Sequence, residues 1–236
     1  MAAMTVEDFG RGVAAALGER LVSLVLYGSA VRGGHVAGRS DVNTLLICDR
    51  ADESLFQALE RPLGPWLKAG HQAPLVFTHA EWRDAADVFA VEYEDIRAAH
   101  RVLAGSDPWD GLTIRPADVR RQLEHELRGK VVRLRQAYAA YARDPARLTA
   151  VFTASVSGFL TMLRATLRLT GKEAPAAADA LVRAAAGAIG FPPAALDAFV
   201  MHSQGGDRLR LAERDPRAAA YLTALARTVE FVDRLG

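Results

Sequence analysis

The feature that most constrains the fold is an apolar segment that runs into a glycine and is followed, after a polar loop, by a second apolar segment. The first segment, residues 21–27, leads into Gly28, and the second, residues 42–48, begins beside Asp41. Apolar runs of this length that are bounded by turn residues are typical of buried strands. The pattern therefore predicts two neighbouring strands that place a glycine turn and an acidic position close together.

The residues at this turn have the chemistry of an anion and metal site. Gly28 lacks a Cβ, so backbone N–H groups at the turn can approach a phosphate closely, and the hydroxyl of Ser29 adds a donor. Asp41 and Asn43 are two residues apart, so their side chains lie on the same face of an extended strand. Two oxygen ligands on one face suit a divalent metal that bridges phosphate oxygens.

This arrangement resembles the fingerprint of the nucleotidyltransferase superfamily, which includes the aminoglycoside nucleotidyltransferases and the minimal nucleotidyltransferases of bacteria. The residues that match are Gly28, Ser29, Arg32, Gly33, Ser40 and Asp41. Asn43 departs from the pattern, because the family has a second aspartate there. A second, separate resemblance to bacterial members of the superfamily lies in the segment His-Arg-Val-Leu-Ala-Gly-Ser-Asp-Pro at residues 100–108.

The resemblance implies a nucleoside triphosphate such as ATP as the ligand and Mg²⁺ as the cofactor. The implied nucleotide-binding residues are Gly28, Ser29, Arg32 and Ser40, and the implied metal ligands are Asp41 and Asn43. Asn43 brings an oxygen but no negative charge, so we expect the metal to be held weakly.

The family also uses a third carboxylate from a neighbouring strand, which helps to deprotonate the acceptor. The corresponding segment, residues 74–77, contains no acid. Glu92 or Glu94 can take this place, and a solvated surface position is the alternative for both. The catalytic candidates are therefore Asp41 and Glu92.

The order of elements predicts an α+β fold with two domains. Residues 1–112 are expected to form a nucleotidyltransferase-like domain with a mixed sheet and flanking helices. The loop at residues 105–111 is rich in turn formers, and the hydrophobic period is helical throughout from Pro116 onward. Residues 113–236 are therefore expected to form an antiparallel helical bundle.

Local signals predict where several elements begin. Thr5 with Asp8 and Thr78 with Glu81 have the spacing of capping boxes, and Asp52 is expected to cap a further helix. Residues 88–93 are predicted to be a strand that carries Glu92 and Glu94 on one face. Residues 95–103 are predicted to be helical.

The composition favours an intracellular protein. The chain has 236 residues, a net charge of +1 and one cysteine, Cys48, so no intramolecular disulfide is possible. We expect a cytoplasmic location, no segment long enough to span a membrane, and no nucleic-acid partner. The expected partners are a nucleotide and a small hydroxylated molecule or a protein, and a homodimer is left open.

Three functional hypotheses follow from the sequence. The first is a nucleotidyltransferase-fold protein that binds a nucleoside triphosphate but has a degraded metal site and weak or lost transfer. The second is an active enzyme that moves a nucleoside monophosphate to a small hydroxylated substrate or a protein. The third is a non-catalytic interaction module of the toxin–antitoxin type.

Overall fold

The computed structural model describes residues 4–33 and 42–235, and these fall into two compact units. The first unit contains the described residues up to Val88 together with Tyr93–Ile114. The second contains Phe89–Glu92 and the described residues from Arg115 onward.

The first unit is built on a four-stranded mixed sheet with the order β3-β2-β1-β4. The strands are β1 (Leu21–Tyr27), β2 (Asn43–Cys48), β3 (Leu75–Thr78) and β4 (His100–Gly105). β1 is antiparallel to both β2 and β4, whereas β2 and β3 are parallel. The predicted mixed sheet is confirmed.

Five helices accompany this sheet in the described part of the chain up to Ile114. They are α1 (Val6–Leu17), α2 (Ser29–Arg32), α3 (Glu53–Lys68), α4 (His79–Asp84) and α5 (Ala90–Arg97), with short 3₁₀ segments at Gly18–Arg20 and Ala85–Asp87. Both predicted capping boxes are present, at Thr5 and at Thr78, and Asp52 caps α3. Each of these side chains accepts a hydrogen bond from an amide of the first helical turn.

The sheet separates two apolar layers. On one face, Leu24, Leu26 and Leu46 pack in a buried cluster with Phe9 of α1 and Trp66 of α3. The rings of Phe9 and Trp66 are stacked with their centroids 4.2 Å apart. Because residues paired across strands point to the same face, the alternate positions of β1 and β2 face the opposite layer.

The opposite layer contains an aromatic cluster, which comprises Phe77, Trp82, Tyr93 and Trp109. Trp82 and Tyr93 are buried and stack with their centroids 3.9 Å apart. Trp82 also meets Phe77 and Trp109 edge to face. The Tyr93 hydroxyl donates to the backbone oxygen of Trp82 at 3.0 Å. Burial raises the pKa of Tyr93, so this hydroxyl stays protonated.

The structure corrects the prediction for residues 88–103. The expected strand at residues 88–93 is absent, and α5 occupies Ala90–Arg97 instead. The expected helix at residues 95–103 ends at Arg97, and His100–Gly105 pairs with β1 as a strand. Tyr93 is fixed by its stack on Trp82, and β4 completes the hydrogen bonds on the open side of β1, so tertiary contacts override the local pattern in both segments.

The described residues of the second unit from Arg115 onward form five helices. They are α6 (Pro116–Tyr141), α7 (Pro145–Leu169), α8 (Ala178–Ile189), α9 (Ala194–Ser203) and α10 (Pro216–Asp233). α7 contacts α6, α8, α9 and α10. At its centre, Phe152 and Phe159 lie against Tyr221, whose hydroxyl is 2.9 Å from that of Ser155. The predicted helical C-terminal part is confirmed.

α7 is long and apolar enough, by length and composition alone, to cross a membrane, and no other helix of the described ranges is. The expectation that no segment reaches that length is therefore wrong. In this unit the apolar residues of α7 form the core between the neighbouring helices.

We predict that Gly105→Ala destabilises the first unit strongly. Gly105 has a φ of 81°, and an added Cβ would lie 2.2 Å from the backbone oxygen of Val22. Left-handed strain and this overlap together should cost about 3 kcal/mol or more.

Gly64→Ala is the matched control, because Gly64 lies inside α3 and an added Cβ meets nothing within 4 Å apart from its chain neighbours. It should leave the stability within about 0.5 kcal/mol of the wild type, because the higher helix propensity of alanine is offset by the contact of its Cβ with the ring of Pro65. Urea unfolding followed by circular dichroism measures both variants, and equal stability of the two would contradict this account of Gly105.

Candidate nucleotide-binding site

The glycine turn directly follows β1 and has a backbone conformation that favours glycine. Gly28 has φ 81° and ψ −141°, a region that residues with a Cβ rarely adopt. Its N–H donates to the backbone oxygen of Ala99 at 3.1 Å, and its own oxygen accepts from the amides of Val31 and Arg32. Among the described residues, the turn therefore leaves the amides of Ser29 and Ala30 outside its hydrogen bonds.

Asn43 lies beside this turn at the start of β2. It pairs with Tyr27 across the two antiparallel strands. A Cβ added at Gly28 would lie 3.4 Å from Nδ2 of Asn43. The structure thus brings together Gly28 and Asn43, two of the residues that the sequence predicted for the site.

His100 completes a row of three residues at this end of the sheet. Tyr27 of β1 pairs with Asn43 on one side and with His100 of β4 on the other. The Nδ1 atom of His100 is 2.9 Å from the backbone oxygen of Arg97, and Nε2 is 3.4 Å from the carboxylate of Asp107. The first residues of β2 and β4 therefore lie on either side of Tyr27, the residue that precedes the turn.

Arg32, predicted as a nucleotide ligand, is engaged in an ion pair. Its Nη2 atom lies 2.8 Å from Oδ1 of Asp95 on α5, and it also donates to the backbone oxygen of Asp95 at 2.8 Å. The two side chains are only 10% and 14% exposed. Asp95 was not predicted from the sequence, because it belongs to no motif and lies 63 residues from Arg32.

Of the other ligands that the sequence predicts near the turn, Ser29 is described by the structure, and Ser40 and Asp41 are not. Ser29 is the first residue of α2 and directly follows Gly28. Ser40 and Asp41 lie outside the described residues, so their predicted roles as nucleotide and metal ligands stay predictions.

Glu92 belongs to the second unit, in the first turn of α5. Its carboxylate accepts a hydrogen bond from Nε2 of Gln122 at 2.6 Å, while Oε1 of Gln122 accepts from the amide of Val91 at 2.8 Å. The side chain of Gln122 thus ties α6 to the start of α5. The role of Glu92 as a third carboxylate stays a prediction, but its predicted place on a strand is wrong. Glu94, the alternative candidate, is ion-paired with Arg97.

The described residues do not by themselves fit a magnesium ion. No group of three or more histidine, cysteine, aspartate or glutamate side chains converges within residues 4–33 and 42–235. Asn43 offers one neutral carbonyl oxygen, whereas Mg²⁺ requires near-octahedral coordination and prefers anionic oxygens. Asp41, the charged ligand that the sequence predicts, lies outside these ranges.

We predict that Gly28→Ala destabilises the first unit more than Gly33→Ala does. Both glycines have positive φ, at 81° and 78°, but an added Cβ meets Asn43 only at Gly28. Gly33 has a left-handed helical conformation, which costs alanine about 1 kcal/mol. The conformation of Gly28 is less accessible, so we expect about 2–3 kcal/mol there. Thermal and urea unfolding measure the difference, and equal costs would contradict the special status of Gly28.

Comparison with known proteins identifies the fold. No family model matches the chain, and no curated protein matches it in sequence. Among solved structures, the chain is similar to a spectinomycin adenyltransferase, AAD(9) from Enterococcus faecialis, solved with ATP and spectinomycin. The TM-score is 0.60 at 14% identity, and the match covers 94% of this chain and 97% of the other. The predicted resemblance is therefore confirmed in structure: the chain has the fold of a nucleotidyltransferase with a helical C-terminal part.

Proposed function

We propose that this protein binds a nucleoside triphosphate at the Gly28 turn and that its capacity for nucleotidyl transfer is weak or lost. The observation that carries the proposal is the proximity of the Gly28 turn and Asn43, whose Nδ2 atom would lie 3.4 Å from a Cβ added at Gly28. The anion-binding turn and the position of the second family aspartate are adjacent, but that position holds an amide instead of a carboxylate.

The turn supplies short-range donors for a phosphate. The backbone N–H of Gly28 is engaged with Ala99, so the donors are the amides of Ser29 and Ala30 and the hydroxyl of Ser29. A methyl group at Gly28 would fill the space against Asn43. The similar adenyltransferase was solved with ATP, which supports ATP as the nucleotide to test first.

Asn43 stands where the family has an aspartate, and this replacement weakens the binding of a metal ion. Nucleotidyl transfer needs cations that neutralise the triphosphate and align the attacking and leaving oxygens. One unit charge at ~4 Å is worth about 4 kcal/mol at an effective dielectric of ~20, before screening and desolvation. Removal of one carboxylate therefore suffices to lose a weakly held ion. Asp41 is the ligand that we propose to remain.

An active enzyme is the second candidate. The similar adenyltransferase was solved with both ATP and spectinomycin, and this favours a small hydroxylated molecule as the acceptor. In this version Asp41 holds the metal. Spectinomycin is the natural first acceptor to offer in an assay.

Calorimetry and a transfer assay separate the candidates. Titration of the protein with ATP and Mg²⁺ should give a heat of binding and a thermal shift. If neither is observed, the protein does not bind nucleotide, and the hypothesis of a non-catalytic interaction module is favoured. Transfer from α-labelled ATP to spectinomycin should be absent or slow in the wild type. Turnover of about 1 s⁻¹ or faster, typical of enzymes, would establish the second candidate instead.

We predict that Asn43→Asp strengthens Mg²⁺ binding to the ATP complex by about tenfold or more, because it restores one negative charge at the metal. Isothermal titration of Mg²⁺ into the ATP-bound protein measures this affinity. Gln57→Glu is the control, since it adds the same charge at an exposed position of α3. Equal Mg²⁺ affinity in the wild type and Asn43→Asp would show that the account of Asn43 is wrong.

A further inference from the structure

We infer that Asp95 is a positioning residue for the Gly28 turn, and that Arg32 acts as its partner and not as a phosphate ligand. For its consequence on nucleotide affinity, the inference rests on the function proposed above. The Arg32–Asp95 ion pair holds in place the backbone amides that donate to the phosphate.

The geometry of the ion pair restricts both distance and orientation. Arg32 is the last residue of α2, and its guanidinium meets both the carboxylate and the backbone oxygen of Asp95, each at 2.8 Å. Both contacts are made by Nη2, which donates a hydrogen bond to the backbone oxygen and lies against the carboxylate as an ion pair, so this end of the guanidinium is fixed. Both side chains are almost fully buried, so water competes weakly for either group.

A second tie joins the same two segments at the other end of the turn. The amide of Gly28 donates to the backbone oxygen of Ala99, four residues after Asp95. Residues 28 and 32 are thus both attached to the segment 95–99, one through the backbone and one through the ion pair. α2 has only four residues, and a helix this short is not stable by itself. Its position must therefore come from tertiary contacts, which are these two attachments and the packing of Ala30 and Val31 against the buried cluster.

Removal of the Asp95 charge distinguishes two roles of Arg32, namely holding the turn in place and binding the phosphate directly. If Arg32 bound the phosphate itself, loss of the Asp95 charge would release its guanidinium and tighten ATP binding. If the ion pair holds the turn, loss of either partner displaces Ser29 and Ala30 and weakens binding. The two roles therefore predict effects of opposite sign for Asp95→Asn.

The first experiment measures amide hydrogen exchange by NMR in the absence of nucleotide. The amides of Val31 and Arg32 both donate to the oxygen of Gly28, so they report on the shape of the turn. In Asp95→Asn and Arg32→Gln their exchange should accelerate by about tenfold or more. Asp84→Asn, the same charge change at an exposed position at the end of α4, should leave them unchanged.

The second experiment measures the Kd for ATP with Mg²⁺ in the same variants. Asp95→Asn should raise the Kd by about tenfold, which corresponds to the loss of about one hydrogen bond to the phosphate. In the double variant Arg32→Gln/Asp95→Asn the rise in Kd should be smaller than the product of the rises in the two single variants, since both single changes remove the contact between the guanidinium and the carboxylate. Asp84→Asn should bind as the wild type does.

Two results would overturn the inference. One is tighter ATP binding by Asp95→Asn, and the other is unchanged exchange at Val31 and Arg32. A wild type that fails to bind ATP would defeat the proposed function, while the exchange experiment would still decide whether the ion pair holds the turn. If Asp95→Asn does not fold because it leaves a buried unpaired Arg32, the double variant takes its place in the exchange experiment.

Discussion

The double pairing of Tyr27 is the interaction on which the first unit and its candidate site depend. β1 is hydrogen-bonded on both sides, and at Tyr27 its partners are Asn43 and His100. This register places the turn at Gly28 level with the ends of both neighbouring strands. A slip by one residue would send every side chain of β1 to the opposite face of the sheet. The apolar layers on the two faces therefore fix the site as well as the core.

Local signals in the sequence sufficed where the interactions are local. Thr5, Asp52 and Thr78 each bond an amide three residues ahead, so the start of a helix can be predicted from a few neighbouring positions. The turn at Gly28 was predictable for the same reason, because an apolar strand that ends in glycine restricts the backbone that follows.

The segment from residue 88 to residue 105 could not be predicted from its own pattern. Tyr93 is fixed by its stack on Trp82, and the strand at His100–Gly105 exists because β1 offers an unpaired edge. Neither partner is visible within the segment. Its mixture of apolar and acidic residues fits both a short strand and a short helix, and the choice is made by contacts that are distant in sequence.

The same distinction applies to the candidate site. The proximity of Gly28 and Asn43 follows from two strands that are close in sequence. The partner of Arg32 does not, since 63 residues separate it from Asp95. The motif predicted a ligand for phosphate, but a motif cannot show that the guanidinium is already neutralised by a carboxylate from another helix.

This neutralisation changes how a triphosphate can be attracted to the turn. The side chains that the structure places at the turn include the hydroxyl of Ser29, the amide of Asn43 and the paired Arg32 and Asp95. Together these groups carry no net charge, so their long-range attraction for a polyanion is weak. The affinity of these groups must come from short-range donors, whose strength depends steeply on distance and angle. If the turn binds a triphosphate as proposed, such a site loses more from a displaced backbone than from a lost charge. The Arg32–Asp95 ion pair, which we infer holds α2, would then affect binding without contact with the ligand.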